Sequence, residues 1–329
     1  MKITNLILKD KKNKSEIKNT FAYHVKKGFS LKNKAISSKY FYNDMGSKLF
    51  QKITKHSDYY LTKKETEILH AIQDELPKVI NSNEIDIIEL GPGDGSKSKI
   101  IIKGFLRNNY KINYYPIDIS RKALQLLGKT LPNNKNLQIH GIIGEYLLGL
   151  KFLKTISKNQ QLVLFLGSNI GNFEQGQSKA FIKNIYNCIN NNSHTLIGFD
   201  IKKDIPILNK AYNDSSGLTK KFNLNLLNRI NKDLKGNFKL NKFMHLGAYN
   251  PKLGAMESYL ISTIEQNVYI KNLNKNVTFD VYEPIHLEYS FKYSMKDIEH
   301  LSSNTGFEIV KNYTDTQKYF IDSLWKKSK

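Results

Sequence analysis

The sequence predicts an α/β protein, a doubly wound Rossmann-like parallel sheet joined to a second, α+β domain. Three observations predict it. Five short apolar runs alternate with helical segments between about residues 85 and 203, the pattern of a parallel sheet covered on both faces. A glycine-studded turn, Gly91-Pro92-Gly93-Asp94-Gly95, follows the first run. After Asp204 the rhythm changes to the period-two alternation of antiparallel strands.

The elements follow in order. Residues 1–20 are polar and lysine-rich and are expected to be loosely ordered at the very end. "SSKYFYNDMGSKLFQKITK" spaces aromatic and apolar residues almost helically. Thr62 and Glu65 form the Thr-x-x-Glu pattern of a reciprocal helix cap, and Ile68, Leu69, Ile72, Leu76 and Val79 follow on one face. Then come "IDIIEL", a helix from Ser96, "INYYPIDI", a helix from Arg121, "LQIHGIIG", a short connection, "QLVLFLG", a helix around Ala180–Ile189, and "HTLIGFDI". "KAYNDSSGLTKKFNLNLLNRINKDL" reads as helix with a turn, the strand-rich insert follows, and "GFEIVKNYTDTQKYFIDSLW" is a closing strand pair able to rejoin the first sheet.

Composition narrows the function classes. The 329 residues, 40% hydrophobic, suffice for one large domain or two modest ones. No apolar run approaches the roughly 20 residues of a membrane span, and the opening "MKITNLILKDKK" does not read as a secretory signal, so a cytoplasmic location without membrane contact is expected. Cys188 is the only cysteine, which excludes an intrachain disulfide or a thiolate cluster and suits a small core residue. The histidines lack metal spacing, and no metal is expected. The net charge of +22 suggests a polyanion partner, but the positive charge is lysine except for Arg107, Arg121 and Arg229, and it is scattered. A solvated basic surface, no nucleic-acid partner and a monomer are the expectation.

A dinucleotide turn reads G-x-G-x-x-G and seats a pyrophosphate on a helix N-terminus. Here the third glycine, Gly95, falls one position early, and Ser96 stands where that motif wants glycine. Glu89 precedes the turn and Asp118 ends the next strand. A phosphate near Glu89 would be repelled, whereas S-adenosylmethionine offers a sulfonium, an ammonium and a ribose diol and carries no phosphate. Asp118 can accept both ribose hydroxyls, each bond contributing about 1.5–3 kcal/mol. Glycines at 91 and 93 admit close backbone approach. Asp118 alone also suits a dehydrogenase, and a plain linking turn is a third reading. Past the third strand, Glu145 and Tyr146 occupy positions suited to an adenine amino group and ring. "FLGSNIGNF" then exposes Asn172 at the carboxyl edge of the sheet, where ligands bind in this architecture. It is not the Asn/Asp-Pro-Pro-Tyr tetrapeptide of base-directed amino-methyltransferases.

"KYFYNDMGSKLF", "SDYYLTKKETEIL", "ELGPGDGSKS", "FLGSNIGNF", "GFDIKKD", "KAYNDSSGLTKKFNLNLLNRIN" and "HLEYSFKYS" stand in this order. Together they resemble the histidine-specific N-methyltransferases that make hercynine, the ergothioneine precursor, from about residue 20 to the end. The resemblance implies S-adenosylmethionine as cofactor and the α-amine of a small amino-acid substrate as acceptor, carried to the trimethylated product. It implies a discontinuous substrate-binding domain, residues 1–65 and 204–292, closing over the substrate, with 66–203 as the cofactor domain and 293–329 returning to its sheet. By motif, Gly91, Lys97, Asp118, Glu145 and Tyr146 hold the cofactor, beside Glu89 and Gly93 of the turn. Tyr59, Asn172 and Tyr212 grip the substrate, Tyr42 lies close by, and Asn172 and Tyr42 are the expected catalytic residues. Glu288 and Ser290 match the Glu-x-Ser that recognises the imidazole; two residues apart on a strand, they share a face. Ser258 stands where the family has a methionine, and Glu145-Tyr146 where it has an acid-Phe pair. Another amino acid or small amine is therefore the alternative acceptor, and a nucleic-acid methyltransferase or binding protein the remoter one.

Overall fold

The computed structural model describes residues 1–7, 13–174 and 176–328, with the backbone alone for 13–20. Two compact units share the chain: unit 1 comprises Met1–Asp10, Leu61–Lys202 and Lys292–Lys329, and unit 2 comprises Lys11–Tyr60 and Lys203–Phe291. The strands are β1 (Lys2–Asn5), β2 (Glu84–Leu90), β3 (Lys111–Asp118), β4 (Leu137–Ile143), β5 (Gln160–Phe165) and β6 (His194–Asp200) in unit 1. Unit 2 contributes β7 (Phe243–Asn250), β8 (Ala255–Ser262), β9 (Gln266–Ile270), β10 (Lys275–Phe279) and β11 (Pro284–Phe291) before β12 (Phe307–Thr314) and β13 (Phe320–Lys327) return to unit 1.

Unit 1 is built on one eight-stranded sheet in the order β1-β4-β3-β2-β5-β6-β13-β12. The first six in that order are parallel, and β13 runs antiparallel between β6 and β12. Both faces of strand β2 are covered, so Ile85, Ile87, Ile88 and Leu90 are buried, and Asp86 and Glu89 are buried with them. The strand order reverses between β2 and β5, so the crevice at their carboxyl ends is the topological switch point where such sheets bind ligands.

Four expectations need correction. The stretch between β4 and β5 is not a short connection but the helix Tyr146–Ile156. It is apolar around most of its circumference, so its sequence shows little periodicity. The chain start is not loose and does not belong to the second domain: β1 pairs from Lys2↔His140 to Asn5↔Ile143, and the helix Asn13–Gly28 begins soon after. Residues 8–12 lie outside the described ones. A four-residue edge strand with polar alternate positions carries almost no hydrophobic signal. Thr62 is not a cap, because the helix starts at Tyr60, and Glu65 is fully buried rather than facing an N-terminus. The segment 293–329, expected to return to the sheet as strands, first forms the helix Met295–Ser303, opened by a capping box between Ser294 and Asp297.

Unit 2 packs the helix Leu218–Leu234 against the three-stranded sheet β11-β8-β7 and the hairpin β9-β10. Phe222, Leu226 and Ile230 meet Leu260, Val268, Phe279 and Ile285, and Phe21 and Val25 of the first helix join them. A bulge between His286 and Glu288 breaks the β11 alternation opposite Tyr259 and Ser258.

Candidate active site

The turn after β2 carries Gly91 and Gly93 at φ +72° and +60°, a backbone region that favours glycine. A Cβ at Gly91 would strike the Tyr146 hydroxyl at 2.5 Å, whereas one at Gly93 would meet nothing within 4 Å. Gly93 therefore borders open space, and Tyr146 closes the turn from the side. Asp118 ends β3, with its Oδ1 accepting the Ser120 N–H at 2.7 Å. Burial pushes its carboxyl up to about 6. Glu145 is exposed at the N-cap of the Tyr146–Ile156 helix. Gly91, Gly93, Asp118 and Tyr146 thus gather at the carboxyl ends of β2 to β4, with Glu145 at their edge.

Glu89 and Lys97 both engage other side chains of unit 1. Glu89 is buried, accepts the Ser98 and Tyr114 hydroxyls, and is raised by desolvation. Its side chain is a packed acid beneath the turn. The Lys97 ammonium pairs with Glu65 at 2.5 Å. Burial alone would lower its pKa, but Glu65 outweighs that and holds it above the ordinary lysine value. The pair neutralises the cation nearest the turn in sequence, which removes a natural partner for a pyrophosphate. Asp118 with Glu145 at the edge, close-approach glycines and a neutralised lysine suit a phosphate-free cationic donor, so these residues fit S-adenosylmethionine.

Asn172 is exposed at the end of the short 3-10 helix Asn169–Asn172, on a loop secured from several sides. Gly167 N–H donates to Glu65 Oε1 at 2.5 Å, Asp200 N–H to Ser168 Oγ at 3.1 Å, and the Tyr293 hydroxyl to the Ile170 carbonyl at 3.2 Å. Phe173 stacks on Phe181 with centroids 4.8 Å apart. Ser168 itself holds φ +55°, a strained conformation for a side-chain-bearing residue that recurs at functional sites.

In unit 2 the structure brings Tyr212 and Ser290 together: the buried phenol donates to Ser290 Oγ at 2.7 Å. Glu288 and Ser290 lie opposite Ser258 and Met256 across the β11–β8 ladder, so the four share one face of the sheet. Tyr42 and Tyr59 belong to an aromatic cluster with Phe50, at 5.5 and 6.3 Å between centroids. Sequence reasoning missed the residues that fix these side chains. Arg229 donates to the Tyr40 carbonyl at 2.8 Å and lies over Phe21, and Asn225 holds the Asn43 amide oxygen that caps the helix Asp44–Ile53. Both anchor the bend that carries Tyr42.

Ser216, His56 and Asp58 imitate a hydrolytic triad, with Nε2 to Oγ at 2.8 Å and Nδ1 to Oδ2 at 3.7 Å. The tautomer forbids that chemistry. Asp58 N–H donates to His56 Nδ1 at 3.1 Å, so the ring proton sits on Nε2 and points at Ser216, leaving no base for the serine. The cluster is a fastening: the Ser215 backbone N–H and hydroxyl, with Lys210, hold Asp58 down at about 2 and tie the segment before Tyr59 to the loop after Tyr212. Among the described residues no His/Cys/Asp/Glu group could hold a metal ion, and no helix is long and apolar enough to cross a membrane.

Comparison with known proteins agrees with this geometry. Residues 21–327 match the family described as histidine-specific methyltransferase, SAM-dependent. The chain is 32% identical over 291 residues to ergothioneine biosynthesis protein 1 of Neurospora crassa, covering 87% of this chain and 32% of that protein. It therefore spans about a third of that relative's length. It is 28% identical over 284 residues to histidine N-alpha-methyltransferase of Mycobacterium tuberculosis, covering 86% of this chain and 87% of that protein. Among solved structures, 1,6-didemethyltoxoflavin-N1-methyltransferase of Burkholderia thailandensis matches with a TM-score of 0.39 at 6% identity, over 80% of each chain. The turn, the switch-point crevice and the match over nearly the whole sequence place the chain in the family of histidine-specific, S-adenosylmethionine-dependent methyltransferases.

Proposed function

We propose that the protein methylates the α-amino nitrogen of L-histidine, up to the trimethylated product, with Asn172 and Tyr42 as catalytic residues. The observation that supports histidine most directly is the Tyr212–Ser290–Glu288 arrangement. Because Ser290 Oγ accepts from Tyr212, its own hydroxyl proton can be given to an imidazole lone pair. Glu288, two residues away on the same face, can accept from the ring N–H. A neutral imidazole has one acceptor and one donor nitrogen, and the pair answers both. Met256, buried opposite Ser290, supplies an apolar sulfur to the face on which Ser258 is polar.

Gly91, Gly93, Asp118, Glu145 and Tyr146 would hold S-adenosylmethionine, which supplies an electrophilic methyl group when bound. The nucleophile must carry a lone pair, and an α-ammonium has none. Asn172, held on its braced loop, accepts a hydrogen bond from the amine and turns the lone pair outward, while Tyr42 and Tyr59 provide rings that tolerate the growing cation. The proton lost in each round goes to solvent or a carboxylate. Positioning, more than acid–base chemistry, supplies the rate. Asn172→Ala is expected to lower kcat about a hundredfold with cofactor affinity unchanged; equal loss of both would remove the role.

The polar Ser258 beside Glu288 favours, as a second reading, an acceptor with a more polar side chain. Incubation with S-adenosylmethionine and a panel of standard amino acids, read by mass spectrometry, separates the two. Gain of three methyl groups by histidine alone supports the proposal, and modification of another amino acid in preference to histidine overturns it.

A further inference from the structure

We propose that unit 2 carries a second small-molecule site, for a one-ring aromatic acid, on the face of the β7–β8–β11 sheet opposite to Glu288 and Ser290. The cavity there measures about 320 Å³ and is lined by Lys32, Asn33 and Lys34 from the loop after the first helix, and by Tyr259, Glu283, His286 and Tyr289 from β8, β11 and the turn before β11. That volume lies at the small end of the range for ligand sites.

The bulge creates this wall. In unbroken alternation His286 and Tyr289, three residues apart, would face opposite sides. The extra residue between His286 and Glu288 puts both on one side, where their rings lie 4.1 Å apart and Tyr259 meets His286 at 5.3 Å. The same irregularity sends Glu288 and Ser290 to the other face. Behind the wall, the buried Glu257 accepts from Asn250 at 2.9 Å and stands 3.8 Å from His286 Nε2. Burial, with Glu257 as hydrogen-bond acceptor, pushes the Tyr259 phenol up, so it remains a donor to that carboxylate. The rings are therefore held in place before any ligand arrives.

The charges choose the ligand. Glu283 is already matched by Lys34 and by the Asp280 N–H, and Lys32 and Asn33 stand exposed at the rim. A flat ring against Tyr289 and Tyr259, with a carboxylate or phosphate reaching Lys32 and Asn33, satisfies both parts.

The test titrates the full-length protein by calorimetry with 4-hydroxyphenylacetate and with phenyl phosphate, using benzyl alcohol as a ring-only and acetate as an anion-only control. Saturable binding of at least one acid, with neither control binding, is expected, and the stronger of the two identifies the anion. Lys32→Glu, at an exposed position, and Tyr289→Ala, checked for folding by circular dichroism, should each weaken it at least about tenfold, and methyl transfer to histidine should be unchanged in Lys32→Glu. No saturable heat with either acid, or an affinity that both substitutions leave unaltered, overturns the proposal.

Discussion

Asp118 shows how one buried residue sets a pH dependence. Its carboxyl is raised to about 6 by burial, from an unperturbed 3.8. Ribose hydroxyls need the ionised form as acceptor, so cofactor affinity should rise as pH increases through about 6 and level off above it. Calorimetry from about pH 5 to pH 8 measures the rise, and Asp118→Asn should flatten it while weakening binding at neutral pH. Stability moves the other way. The folded state retains a proton that the unfolded chain releases near 3.8, so the contribution of this group is present below that value and lost as pH rises through about 6. Asp118→Asn should therefore be less destabilised than the parent when urea midpoints at neutral and acid pH are compared. The presence of this acid was legible, since it ends an apolar strand. Its elevated pKa was not, because that depends on how deeply the neighbouring helices cover it.

Elements, not single residues, hold the candidate site in place, and Glu65 is the clearest case. It joins three elements of unit 1: its own helix Tyr60–Ile72, Lys97 of the helix Ser96–Arg107, and Gly167 of the Asn172 loop. Removing one partner of a buried ion pair leaves the other charge unmatched, at about 3–5 kcal/mol. Glu65→Ala should lower the urea-unfolding free energy by about that amount, and Glu65→Gln, which keeps an acceptor for Gly167, by less. In unit 2 the helix Ile205–Tyr212 rests on β7 at Gly247, where a Cβ would meet the Tyr212 Cβ at 2.9 Å and its carbonyl oxygen at 3.0 Å. Gly247→Ala should push that helix outward, break the Tyr212–Ser290 bond and cost about 1–3 kcal/mol. A KM for histidine that rises while cofactor affinity stays constant would be its signature. In sequence Glu65 looked like a cap because Thr62 precedes it by three. Its partners lie 32 and 102 residues away, distances over which local patterns are silent. The β11 bulge was hidden for the same reason, since register is a property of a strand pair.

At the scale of the whole molecule, the chain enters unit 2 twice and leaves it twice, and the doubly wound sheet was readable through that interruption because its central strands are rich in Ile, Leu and Val. The edge strand β1 and the apolar helix Tyr146–Ile156 were not, the one having Ile3 as its single apolar residue and the other lacking polar ones at regular spacing. The net charge of +22 poses the remaining question at this scale. Two of the three arginines serve the fold: Arg107 makes a bidentate pair with Asp74, and Arg229 is fixed by the Tyr40 carbonyl and the Phe21 ring. The surplus is lysine, which binds polyanions by counterion release. A phosphate-reading protein loses about 10³–10⁵ in affinity between about 50 and 200 mM salt, in proportion to the phosphates it neutralises. A zwitterionic amino acid releases no condensed counterions, so KM for histidine should change by less than about twofold over the same range. Steady-state kinetics in a chloride series measures this directly. A steep loss of turnover with salt, matched by salt-sensitive retention on RNA, would mean that the basic surface takes part in substrate recognition, which none of the binding groups named above requires.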